Sequence, residues 1–158
     1  MKRKWPVYLL FITLALGAGA LSGWLIADSV QAYEQMPHPP GSPPAGAFPW
    51  VWSFLYLLMG VSAARIWLSP QPCARSALLL WGLQLAVNFA WPLLFFDLQM
   101  VWLAFFWLLL LWLLVFSMIR AFSAVDSWAA KLQLPYLLWL SYAAYLNLAQ
   151  GLLSNRLI

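Results

Sequence analysis

Five apolar runs, each long enough to cross a bilayer, leave this chain few folds to adopt. They cover about 5–27, 48–68, 75–96, 100–121 and 127–153, and the charges fall between them or near their ends. A spanning helix needs about 20 apolar residues. Soluble domains are about 25% charged, whereas this chain is 8% charged and 65% hydrophobic. It cannot clothe itself in water. The expected fold is all-α, an integral membrane bundle of five transmembrane helices forming one domain over residues 1–158.

The first run follows Lys2-Arg3-Lys4, the pattern of a secretory signal, and Val30-Gln31-Ala32 resembles a weak cleavage site. Signal cores span only about 7–15 residues. A run of over twenty reads instead as a retained span, with Gly17, Gly19 and Gly23 suggesting close helix contact. Residues 28–47 hold Pro37, Pro39, Pro40, Pro43 and Pro44 and read as an extended loop with polyproline character. Such a length suits either a lid or a simple tether. Pro92 should distort the end of the third span, and Pro135 should kink the fifth.

Five spans put the termini on opposite sides, and the charges then sort. Lys2, Arg3, Lys4, Arg65, Arg75, Arg120 and Lys131 share the amino-terminal side; Asp28, Glu34, Asp97 and Arg156 take the other. The positive-inside rule predicts a multi-pass protein with a cytoplasmic amino terminus.

The third run carries amides where lipid would be expected. Helical spacing puts Gln84, Asn88 and Trp91 on one face and Gly82, Ala86 and Ala90 roughly opposite. A polar side chain in hydrocarbon costs free energy unless it is paired, so Asn88 should face the bundle interior. The small face suits a neighbouring helix or a second subunit. On the fifth run Trp139, Ala143 and Asn147 form a second stripe, and on the second run Trp52, Tyr56, Met59 and Ala63 form a third.

The inventory excludes several chemistries. A single Cys73 and a single His38 allow no internal disulfide and no cysteine or histidine metal cluster, so no metal site is expected. His38, with Met36 or Tyr33 nearby, is better read as a solvated loop histidine than as a haem ligand. No phosphate loop, nucleophile elbow or nucleic-acid-binding stripe is present. No carboxylate or lysine sits mid-span, which argues against a charged proton or ion pathway. Gln84, Asn88, Tyr56, Tyr142, Tyr145, Asn147 and several indoles remain. They suit either a large, flat, mostly apolar ligand or helix-to-helix glue.

Three stretches resemble the TspO/MBR family of tryptophan-rich sensory and translocator proteins. Phe48-Pro49-Trp50-Val51-Trp52 through Tyr56 to Gly60 is similar to its FPxxWxxLYxLMG motif. Leu85 through Asn88 and Trp91-Pro92 to Phe96 is similar to LxxNxxWxxxFF, and Pro135-Tyr136 through Trp139 and Ala143 to Asn147 is similar to PYxxWxxxAxxLN. The resemblance implies a homodimeric five-helix bundle in the lipid bilayer that binds protoporphyrin IX or haem, and in some members cholesterol or benzodiazepine-type drugs. It implies a pocket lined by Trp52, Tyr56, Asn88, Trp91, Trp139 and Ala143, with Tyr33 on the loop above; Asn147, on the same stripe, joins the candidate set. Gly82, Ala86 and Ala90 become a candidate dimer seam.

No resident cofactor is required; the porphyrin is cargo. Storage, sensing or transport of porphyrin is the leading expectation. Light-dependent porphyrin degradation through Trp52 and Trp139, or a ligand-free structural role, are the alternatives. The loop departs from the family pattern, with Gly41 and Gly46 where two tryptophans usually stand, so weaker lid closure is expected. The tyrosine-to-basic sterol pattern is absent after the fifth span, since Tyr145 and Arg156 are too far apart for it.

Overall fold

The computed structural model describes residues 4–44 and 46–154. Lys2, Arg3 and Arg156 of the charge sorting, and Ala45 of the proline loop, lie outside the described residues. Among those described every regular element is helical: α1 (Trp5–Leu25), α2 (Ala27–Glu34), α3 (Ala47–Trp67), α4 (Ala74–Pro92), a π-helical turn (Leu93–Asp97), α5 (Val101–Ser123), α6 (Ser127–Lys131) and α7 (Leu134–Ser154). Four stretches are long and apolar enough to cross a membrane: α1, α3, α4 with its π-turn, and α5. At about 1.5 Å per residue, 21 residues of α1 reach ~31 Å, the depth of the hydrocarbon.

Polarity is inverted relative to a water-soluble protein. The outer surface shows Leu79 at 75% exposure, Trp24 at 74% and Leu138 at 72%. Gln84, Asn88, Gln133, Asn147 and Gln150 are buried inside. Lipid replaces water around the belt, so unpaired amides go inward and leucines go outward. The buried row of α5 is Ala104, Leu108, Leu111, Val115, Met118 and Phe122, which is one helical stripe. Its tryptophans also pack. Trp107 Nε1 donates to the Val87 carbonyl at 2.8 Å and Trp112 Nε1 to Ser141 Oγ at 2.9 Å.

Three expectations need correction. Residues 27–34 are helical, because the prolines begin only at Pro37 and nothing before it denies the backbone its bonds. Among the described residues the irregular stretch is therefore 35–44 with Gly46. The fifth run is two helices that break at Leu132 and Gln133, ahead of Pro135. Pro135 is the second residue of α7, in a first turn where proline is tolerated because its missing N–H needs no helical partner, so the break falls just upstream. Of the three glycines on α1 only Gly19 makes a close contact, where an added Cβ would fall 2.2 Å from the Tyr56 ring; Gly17 and Gly23 face open space. The α1 backbone itself is approached by Gly60, where a Cβ would lie 2.5 Å from Ile12 Cα.

Pro92 behaves as expected. It has no N–H to offer the Asn88 carbonyl, and the chain widens at once into the π-turn, where Leu98 N reaches back to Leu93 O at 2.9 Å. Asp126 caps α6, accepting from Trp128 N at 2.8 Å and Ala129 N at 3.2 Å. Its other oxygen pairs with Arg65 Nη2 at 2.7 Å, tying the end of α3 to the turn after α5. Burial alone would raise this carboxyl; the Ala129 and Trp128 N–H groups and the Arg65 guanidinium outweigh it and hold the pKa below the ordinary value.

Candidate ligand-binding site

The stripe of α7 organises the candidate residues, which separate into two clusters. The first is built from α3, α4 and α7 beneath the proline loop. Trp52 and Tyr56, one turn apart on α3, have ring centroids 5.7 Å apart. Trp52 meets Tyr136 at 6.3 Å and Trp139 at 6.5 Å, both edge to face. Trp139 continues the aromatic wall to Phe48 at 6.0 Å and to Tyr142 at 5.4 Å. The phenols of Tyr56 and Tyr136 approach the Asn88 amide without reaching hydrogen-bond geometry with it.

Asn88 is fully buried, yet neither its Oδ1 nor its Nδ2 has a hydrogen-bond partner among the described residues. The Trp139 Nε1 is likewise buried and unpartnered. A buried polar group left without a partner costs about 1–3 kcal/mol. This wall therefore presents one amide donor and acceptor and one indole donor within an aromatic surface. Ala143, buried one turn beyond Trp139, keeps that part of the stripe small.

The second cluster lies at the loop end of α4. Trp91 stacks on Phe95 at 5.4 Å and 21°, and its Nε1 donates to Asn147 Oδ1 at 3.2 Å. Asn147 Nδ2 donates to the Val101 carbonyl at 2.8 Å. Trp91 and Asn147 thus satisfy each other and join α4, α5 and α7. No hydrogen bond joins Asn88 to Asn147. Tyr33 belongs here as well, against Phe95 at 5.5 Å, Phe96 at 5.2 Å and the exposed His38 at 4.8 Å. The π-turn allows Phe95 and Phe96 both to reach Tyr33. Burial pushes the Tyr33 phenol above its ordinary range, so it remains a neutral donor to Gln150 Oε1, at 3.4 Å.

Gln150, and the loop partners of Tyr142 and Tyr145, escaped the sequence reading. Gln150 Nε2 donates to Pro37 O at 3.4 Å, Tyr145 OH to Pro40 O at 3.0 Å, and Tyr142 OH to Gly41 O. The loop is fastened to α7 by these side chains, without the two tryptophans of the family pattern. Gly41 has φ +84°, a left-handed conformation that a tryptophan would strain. Gln150 was findable, since it stands eleven residues beyond Trp139 and so on the same helical stripe. Tyr136 was quoted within a motif, but only packing reveals its place beside Trp52.

Gly82 and Ala86 are exposed and Ala90 is half-buried; nothing lies within 4 Å of a Cβ built on Gly82. That face of α4 points out of the bundle, opposite the buried Gln84 and Asn88. Among the described residues no group of three metal-ligating side chains occurs, and Cys73 is exposed and free at the start of α4.

Residues 11–153 match the model of the TspO/MBR family. The chain is 33% identical to a tryptophan-rich sensory protein of Cereibacter sphaeroides, covering 93% of this chain and 90% of that one. It is 38% identical to a translocator protein homolog of Schizosaccharomyces pombe, covering 84% and 85%, and 34% identical to the translocator protein of Ovis aries, covering 85% and 83%. Membrane-competent helices and full-length similarity agree: the chain is an integral membrane protein and belongs to the TspO/MBR family.

Proposed function

We propose that this protein binds a tetrapyrrole, protoporphyrin IX or haem, inside the membrane and serves porphyrin sensing, storage or transport. One observation carries the reading: the buried Asn88 amide, without a partner, behind the aromatic wall of Trp52, Tyr56 and Trp139. A flat conjugated ring stacks on such a wall, and its polar edge supplies the missing acceptor and donor. The names of the relatives, sensory and translocator, fit handling of a small membrane-soluble molecule.

In this reading α7 is the fifth span. It has the 21-residue length of α1, and inward-facing Asn147 and Gln150 lower its apolarity. The amino terminus is cytoplasmic, because Lys4, Arg65, Arg75, Arg120 and Lys131 gather at one end. The open Gly82, Ala86 and Ala90 face serves a homodimer, which Ala86→Leu should dissociate. Titrating protoporphyrin IX while following tryptophan quenching tests the function. Saturable quenching is expected, weakened about tenfold or more in an Asn88→Ala, Trp139→Phe double variant. Unchanged quenching in that variant overturns the site; no saturable binding favours a structural subunit.

The edge contact of Trp52 and Trp139 favours a second reading, light-driven porphyrin oxidation with dioxygen as the oxidant and these indoles as electron relays. It requires a discrete product under illumination that Trp52→Phe or Trp139→Phe abolishes. Bleaching at the rate of the free dye overturns it.

A further inference from the structure

The opposite end of the bundle from the proline loop holds a cleft that porphyrin binding does not use. It is lined by Lys4, Tyr8, Arg65, Leu68, Ser69 and Asp126, with a volume of about 230 Å³. Lys4 directly precedes α1 and Arg65 lies in the last turn of α3, so the cleft sits where two spans leave the hydrocarbon.

Its hydrogen-bond accounting is one-sided. Both oxygens of the lone carboxylate, Asp126, already have partners: Oδ1 accepts from Trp128 N and Ala129 N, and Oδ2 from Arg65 Nη2. Arg65 Nε is buried and has no acceptor among the described residues. Lys4 makes no ion pair among them. The Ser69 hydroxyl accepts from Gln71 N at 3.4 Å, which leaves its own proton free to donate, and the Tyr8 hydroxyl is not engaged elsewhere among them. Two cations and two hydroxyls thus converge on a space whose own acceptor is already used. A cleft so rich in donors suits an anion with several oxygens, and a guanidinium beside an ammonium suits phosphate.

We propose that this cleft binds the phosphate of an anionic phospholipid headgroup. Leu68 at its edge and the exposed Trp5 beside Lys4 give the lipid's glycerol and acyl region an apolar border. The position at the membrane boundary favours a lipid over a free ion, because the acyl chains stay in the bilayer while the headgroup meets the donors.

Native mass spectrometry of the full chain in neutral detergent, offered equimolar phosphatidylglycerol and phosphatidylcholine, tests this. The wild type should retain phosphatidylglycerol preferentially. A Lys4→Gln, Ser69→Ala double variant, which leaves the Arg65–Asp126 pair intact, should lose about fivefold in that preference. Arg120→Gln removes a cation outside the cleft and should leave the preference unchanged. Equal losses in both variants, or none in the double variant, overturn the site. Excess inorganic phosphate distinguishes the source: retained lipid supports the headgroup, whereas lipid release with phosphate bound in its place overturns the lipid assignment. Arg65→Lys, which keeps the charge and loses the Nε–H, should lower the preference as well; an unchanged preference there removes Arg65 from the site.

Discussion

Gln84 and Asn88 stand one turn apart on the buried face of α4, and the protein treats them differently. Gln84 Oε1 accepts from Tyr136 OH at 3.0 Å, and its Nε2 approaches the Met59 sulfur at 3.9 Å. Nearby, Gln133 Nε2 donates to Ser62 Oγ and to the Leu58 carbonyl, joining the start of α7 to α3. Asn88 has no such partner. Around Gln84 side chains cross-link the helices and only Gln133 Oε1 is left over, whereas at Asn88 both amide atoms are left over beside the aromatic rings. Amides of the same chemistry serve as glue in one place and remain available in the other. The difference lies in what the facing helices bring within reach.

Identical substitutions should separate these roles. Gln84→Leu strands the Tyr136 hydroxyl in an apolar interior and should cost about 1–3 kcal/mol, read as a lowered thermal midpoint in detergent. Asn147→Leu should cost a similar amount, since it strands Trp91 Nε1. Asn88→Leu should instead leave the midpoint unchanged or raise it, while weakening protoporphyrin IX quenching. A midpoint for Asn88→Leu as low as that of Gln84→Leu would erase the contrast.

A smaller effect is expected at the loop. Tyr145→Phe removes the bond to Pro40 O and should cost about 0.5–1.5 kcal/mol. Faster amide exchange should then be confined to residues 35–46, with α4 unaltered. Smallest is the pH response at the basic end. The native Asp126 pKa lies below the ordinary value of 3.8, so its stabilising contribution is present above that value and is lost as pH falls through the lowered one. Thermal midpoints should be flat from neutral pH to about pH 5 and should decline only in stronger acid. In Asp126→Asn that acid-specific part of the decline should vanish.

Much of this organisation was legible in the residues. Four of the five expected spans, the inward face of α4 and the stripe of α7 follow from hydropathy and a 3.6-residue period, both local properties of the chain. Pro92 announced its distortion for the same reason, because a missing N–H acts within one turn. The early part of residues 28–47 was misread because prolines clustered at 37–44 coloured the segment before them. Pairings between elements were less accessible. Nothing local to Asn147 shows that Trp91, fifty-six positions earlier, takes its oxygen. Nor does the loop's own composition reveal that tyrosines of α7 hold its carbonyls.

By itself, the sequence determined that this protein lives in a membrane, which residues turn inward and which family it resembles. Those outcomes rest on transfer of side chains from water to hydrocarbon, a cost each residue carries wherever it sits. Tertiary structure decided which inward polar groups are consumed and which are left over. A hydrogen bond requires two atoms about 3 Å apart, and only packing of distant helices sets that separation. Asn88 was marked as interior by its place in the chain, and left unpartnered by its neighbours in space.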